Sequence, residues 1–155
     1  MRIVKSMLLL AVCAGLFFSC STLEGLGLET LPLSKRLVSE NKIIRQAAVA
    51  EFTEADENKK KKTVMEIIEM FAVEKDEDKR KRMLSVLTDI DTGSYAVIPL
   101  LRAAGRNADV TSVGGIVDAV KKMKPSASDI NRMGVMFMEG TDIMREIIKH
   151  FIGRF

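Results

Sequence analysis

From residue 34 onward apolar side chains recur three and four positions apart, the spacing that sets one apolar stripe along a helix. Ile44, Ala47, Ala48 and Phe52 form the first stripe, followed by Val64, Ile67, Ile68 and Phe71, then Met83, Leu84, Leu87 and Ile90. The pattern continues through Val97, Ile98 and Leu101, then Val113, Ile116, Val117 and Val120, then Ile130, Met133 and Phe137. It ends with Ile147, Ile148, Phe151 and Ile152. Polar or Gly/Pro clusters interrupt it at 54–58, 74–78, 91–94, 105–109, 124–128 and 140–142. Seven helices of about 11–15 residues with short connections are therefore predicted. No segment alternates as a strand would. Several interruptions end in a residue suited to accept the first free helix N–H groups: Ser94, Asp109, Ser128 and Thr141. Pro99 would cost about 3 kcal/mol inside a helix, so its helix is expected to begin late, near Val97, or to be kinked in its first turns.

The helices also repeat. Asn41-x-x-Ile44-Arg45-x-x-Ala48-Val49-x-Glu51-Phe52 has a spacing that two later segments keep. These are Asp76-x-x-Lys79-Arg80-x-x-Met83-Leu84-x-Val86-Leu87 and Asp109-x-x-Ser112-Val113-x-x-Ile116-Val117-x-Ala119-Val120. Equivalent positions Phe52, Leu87 and Val120 lie 35 and 33 residues apart, and Phe151 continues the series at 31. Over 41–155 the chain resembles short HEAT-like repeat proteins. The resemblance implies an all-α fold, a short α-solenoid of about three and a half helix hairpins in which stacking closes a core no hairpin could close alone. In such repeats an Asp–Arg pair ties neighbouring units together. Here both members occur only in the second unit, as Asp76 and Arg80; Asn41 replaces the acid in the first and Val113 the base in the third. An irregular helical bundle is the alternative architecture. The repeat serves many binding tasks, so it implies no particular activity.

The amino end carries a different kind of information. Arg2 and Lys5 precede an uncharged apolar run of 12 residues, 7–18, and Ser19-Cys20 closes it. A charged start, a short apolar stretch and a small residue before the cut make a secretory signal layout. The run is shorter than the roughly 20 residues a membrane-spanning helix needs. Leu16-Phe17-Phe18-Ser19-Cys20 resembles the lipobox of bacterial lipoproteins, with Leu16 one position further from the cysteine than the usual pattern has it. The resemblance implies cleavage before Cys20 and acylation of its thiol; an ordinary cleaved signal or an uncleaved anchor is the alternative. Ser21 in place of Asp then favours the outer membrane. Cys13 would leave with the signal, so Cys20 would be the one thiol left in an exported chain, and lipidation accounts for it. Each buried CH₂ of the acyl chains contributes about 0.8 kcal/mol to anchoring. The expected organisation is a signal peptide at 1–19, a lipidated cysteine and flexible tether at 20–33, and the helical repeat domain at 34–155.

Charge changes the picture only once the signal is set aside. The chain has 24 basic and 21 acidic residues; without Arg2 and Lys5 the balance is 22 against 21. Such a balance gives no global electrostatic case for nucleic acid as a partner. The acidic-to-basic runs at 54–62 and 74–82 read first as solvated turns with acids at helix starts. They also admit a contact between the basic clusters Lys59–Lys62 and Lys79–Arg82 and anionic lipid headgroups.

Reaction chemistry finds little to work with. His150 is the one histidine, so neither a histidine pair for zinc nor a Ser-His-acid set is on offer. It is expected to be exposed or to serve the end of its helix. Asp89-Ile90-Asp91-Thr92-Gly93 lacks the ligand spacing of a calcium loop. No cofactor and no metal is expected, and no enzyme activity. Five of the ten methionines fall between Met123 and Met144; Met133 and Met144 are expected in the core, and one of Met136 and Met138 along a groove.

The function expected is that of a membrane-anchored module binding a protein partner in the bacterial cell envelope, with the second helices of the hairpins facing the ligand. Glu66, Glu69, Arg102, Arg106, Arg132 and Glu139 are the outward polar residues of those helices. A structural role with self-association through Phe151, Ile152 and Phe155 is one alternative, and a carrier of a small ligand or lipid is another.

Overall fold

Short polar side chains set the helix boundaries. Asn41 accepts from the Ile43 and Ile44 amides, Asp56 from Lys59 and Asp76 from Lys79. Asp109 accepts from Ser112, Ser126 from Asp129 and Thr141 from Met144. Each satisfies an N–H that has no partner within its own helix. The computed structural model describes residues 31–153. The chain divides into two units at Pro32, and the second, from Leu33 onward, is the helical domain.

Eight α-helices follow one another among the described residues, with no strand. They are α1 (Leu33–Leu37), α2 (Lys42–Glu54), α3 (Glu57–Val73), α4 (Glu77–Asp89), α5 (Val97–Asn107), α6 (Val113–Lys122), α7 (Ala127–Glu139) and α8 (Asp142–Ile152). Short 3₁₀ turns, Ser94–Ala96 and Val110–Ser112, lead into α5 and α6. The fold is all-α, as the periodicity requires.

Three details differ from the sequence expectation. The short helix α1 begins at Leu33, inside the expected tether, and buries Leu33, Ser34 and Leu37. Five residues are too few to show a helical period. Ser94 opens a 3₁₀ turn and caps nothing; α5 starts at Val97 without a side-chain cap, and Pro99 sits in its first turn, where no intrahelical N–H bond is lost. Ser128 lies inside α7, and Ser126 is the cap. The reason is a reciprocal pair: the Ser126 hydroxyl accepts from the Asp129 amide while the Asp129 carboxylate accepts from the Ser126 amide.

The main packing is between helices two apart in sequence: α3 on α5, α4 on α6, and α6 on α8. α1 lies against α2 and α3, and α7 against α5 and α8. The stripes meet in one core, where Ile67, Phe71, Leu87, Leu101, Ile116 and Ile148 are all fully buried. Each such side chain contributes about 1.5–3 kcal/mol relative to exposure. Gly115 permits the close approach of α6 to α4: a Cβ there would stand 3.1 Å from Leu84 Cδ1. The last hairpin is less complete. Of the expected α7 stripe only Met133 is buried, while Phe137 is half-buried and Ile130 exposed.

Polar links cross the packing as well. The Arg80 guanidinium donates to the Glu74 and Lys75 carbonyls and to the Asp109 carboxylate. Asn107 donates its amide to the Phe71 and Glu74 carbonyls, closing the end of α3 from the end of α5. Arg45 repeats the first of these arrangements, donating to the Ser39 and Glu40 carbonyls at 2.6 and 2.8 Å. Arg45 and Arg80 thus each bind the carbonyls five and six residues upstream.

Candidate functional site

A groove of about 590 Å³ lies between α5 and α7, and Met144 near the start of α8 also lines it. Ile98 and Arg102 enter it from α5, Arg132, Val135, Met136 and Glu139 from α7, and Met144 from α8. The α7 residues share the groove because positions three and four apart lie on one side of a helix. Ile98 and Met144 are buried and form the apolar floor; Val135 is 56% exposed and stands at the edge. Arg102, Arg132 and Glu139 are exposed around it. Two cations and one anion over a methionine-bearing floor can hold a ligand that offers apolar side chains and charges of both signs. Met136 and Met144 add adaptable contact, since the thioether chain reshapes at low cost.

Of the residues singled out in the sequence, three therefore come together: Arg102, Arg132 and Glu139. Glu66 is half-buried on α3, where it accepts a 2.7 Å hydrogen bond from the Ser34 hydroxyl of α1 and lies 4.0 Å from Lys62. It ties α1 to α3. Glu69 and Arg106 are exposed on α3 and α5 but do not line the α5–α7 groove. Met133 and Met144 are in the core as expected, Met136 lines the groove and Met138 is exposed. Cys20 and Phe155 lie outside the described residues.

The basic run on α3 does not form one patch. Lys59 reaches Glu51 of α2 at 3.0 Å, Lys60 pairs with Glu57, Lys61 stands 5.5 Å over the Tyr95 ring, and Lys62 faces Glu66. Glu51 also pairs with Arg36 at 2.6 Å. Partial burial pushes its carboxyl pKa up, yet the hydrogen bonds from Lys59 and Arg36 outweigh this and leave it below the ordinary glutamate value. His150 is exposed on α8, its Nδ1 3.2 Å from the Glu146 carboxylate. Among the described residues no three His, Cys, Asp or Glu side chains gather as metal ligands, and no helix is long and apolar enough to cross a membrane.

A second groove, of about 600 Å³, separates α2 from α4. Its cations come from two helices: Lys42 and Arg45 on α2, Lys81 and Arg82 on α4. The sequence shows the α4 pair as part of a basic run, but not that α2 brings two more to face it. Sequence separation hides the grouping, because it depends on which helices end up side by side.

No family model, curated protein or solved structure matches this chain.

Proposed function

We propose that this chain is a bacterial lipoprotein whose helical domain binds a protein partner at a membrane surface in the cell envelope. The signal layout and the lipobox-like Leu16–Cys20 segment support the anchor, and Cys20 would carry the lipid. The packing of helices two apart is what a short HEAT-like array would use, alternate helices forming two rows. The observation that carries the binding role is the gathering of Arg102, Arg132 and Glu139 around the α5–α7 groove. The repeat spacing marks the same three residues as ligand-facing, independently of the groove. Mixed charge at the edge and methionine within suit a protein surface with an apolar anchor and a polar rim. Ser21 after the cysteine favours placement in the outer membrane, as in the lipoproteins it resembles, and contact of basic clusters with anionic headgroups would add to the anchor.

The test has two arms. Intact-mass analysis of the protein from its native host reads the anchor: loss of residues 1–19 and a gain of acyl mass at Cys20 are expected, and an unmodified amino terminus would remove the membrane assignment. A photo-crosslinking residue at Arg132 or Glu139, with one at Lys122 as control, reads the binding face in intact cells. A discrete protein adduct at the groove positions and none at Lys122 is expected. Equal capture at all three, or none, would remove the groove as the binding face.

A further inference from the structure

The row formed by α4, α6 and α8 is closed by direct packing, whereas α2 has no comparable packing on α4. The gap lies over an aliphatic floor. Leu37, Val86 and Ile90 are buried at its base, and Val49 stands 41% exposed on its wall. Four cations line the same gap, with Asp89 as the acidic side chain among them.

These cations are only loosely engaged. Lys81 pairs with Glu77 at 2.6 Å and Arg82 with Glu40 at 3.4 Å, both on the surface, where ion pairs are weak and readily exchanged. Among the described residues no ion pair engages Lys42. Arg45 uses one nitrogen for the Ser39 and Glu40 carbonyls and keeps its charge. The groove therefore offers apolar contact below and an excess of positive charge above, which calls for an anionic amphiphile.

We infer that the α2–α4 groove binds a single long-chain carboxylate, a free fatty acid, with its chain along the aliphatic floor and its head among the four cations. The volume of about 600 Å³ lies within the roughly 300–1,000 Å³ of small-molecule sites. The walls are helices, whose backbone groups bond within themselves, so an extended peptide laid in the groove would find no partners for its own amides. An acyl chain has none to satisfy. A helical peptide is about 10–12 Å across and would put only a few side chains inside. A carboxylate also matches the planar fork of Arg82, which can present two N–H groups to it. This site is separate from the α5–α7 groove and depends on neither the anchor nor the partner proposed above.

The experiment uses the full chain in nanodiscs of neutral phosphatidylcholine, irradiated with a diazirine-bearing palmitate and mapped by tryptic mass spectrometry. Adducts are expected on the α2 and α4 peptides that hold Val49 and Val86. Excess palmitate should compete the signal away, while hexadecanol, with the same chain and no charge, should compete at least tenfold less well. The double substitution Lys42→Glu and Lys81→Glu, at two exposed positions, should lower the adduct yield at least tenfold with helicity by circular dichroism unchanged. Adducts spread over all exposed surfaces, equal competition by hexadecanol, or an unaltered yield in the double variant would each overturn the inference. Loss of the adducts to an acidic amphipathic helical peptide but not to palmitate would also overturn it, and would give the groove to a protein ligand.

Discussion

Arg80 on α4 donates to the carboxylate of Asp109, which lies 29 residues further on and caps the 3₁₀ turn leading into α6. The guanidinium side chain is only 7% exposed, the carboxylate 44%. One arginine thus joins three places: the end of α3 through the Glu74 and Lys75 carbonyls, its own helix, and the turn that leads into α6. Asp109 is equally shared, accepting from Thr111 and Ser112 as well.

The two ends of this pair should not be equally costly to remove. Asp109→Ala leaves a buried guanidinium without its counter-charge, for which a loss of about 3 kcal/mol is expected, the lower end for a broken buried pair because the carbonyl contacts survive. Arg80→Met leaves a half-exposed carboxylate that water can solvate and fills the space with an apolar chain; about 1–2 kcal/mol is expected. Urea unfolding at neutral pH measures both. The reverse order would mean that Asp109 is not what balances the Arg80 charge.

Acid should undo the same link. The Thr111 hydroxyl, then the Ser112 hydroxyl and amide, then the Arg80 charge hold the Asp109 carboxyl at about 2, against an ordinary value of 3.8, despite the opposing effect of desolvation. A group depressed in the folded state stabilises the fold fully above its unfolded value and loses that contribution as pH falls through its folded value. The window is therefore from 3.8 down to about 2. In that window the urea midpoint of the native chain should fall more steeply than that of Asp109→Asn, which has no carboxyl to titrate. Parallel curves would refute the assignment.

How far the sequence reveals this molecule depends on how local each feature is. The stripes of α2 to α6, and that of α8 up to Phe151, are legible because apolar spacing and burial are both local to a helix; Ile152 at the end of α8 stays 46% exposed. On α7 the same reading overstates burial, since burial depends on what packs against that face; Ile130 remains 44% exposed. Asp76 and Arg80 are expected to serve a link between neighbouring helices, but not with which partner: Asp76 caps α4 through the Lys79 amide, and Arg80 reaches Asp109. Choosing between two acids for one base requires the packing of α4 on α6. The α5–α7 groove is half legible, because helical phase selects Arg102, Arg132 and Glu139. The α2–α4 groove is not, because it arises where expected helix packing is missing.

The sequence pattern points to Ser128 as the cap of α7 and the hydrogen bonds to Ser126, and substitution separates the two. Ser126→Ala removes the acceptor for the Asp129 amide, and a loss of about 1 kcal/mol is expected. Ser128→Ala replaces an exposed residue within the first turn of α7 and should change stability by less than about 0.5 kcal/mol. Denaturant unfolding of the two single variants decides the point. Equal losses would place the helix start two residues later than the hydrogen bonds do.

Leu37 tests whether the five-residue α1 belongs to the fold. Its side chain is completely buried, and the helix carrying it packs on both α2 and α3. Leu37→Ala should cost about 2–5 kcal/mol, the range for a truncated core leucine. A loss below about 1 kcal/mol would show that α1 rests on the surface of α2 and α3 without being part of their core.

Gly134 offers a change in the other direction. It stands mid-way along α7, and a Cβ placed there would meet nothing within 4 Å. Glycine in a helix interior is about 0.8–1 kcal/mol less favourable than alanine, because it loses more backbone freedom on folding. With no neighbour to displace, Gly134→Ala should recover most of that difference and raise the melting temperature by about 3–6 °C for a domain of this size. An unchanged or lowered melting temperature would mean that another surface packs against this face of α7, close enough that even one methyl group intrudes.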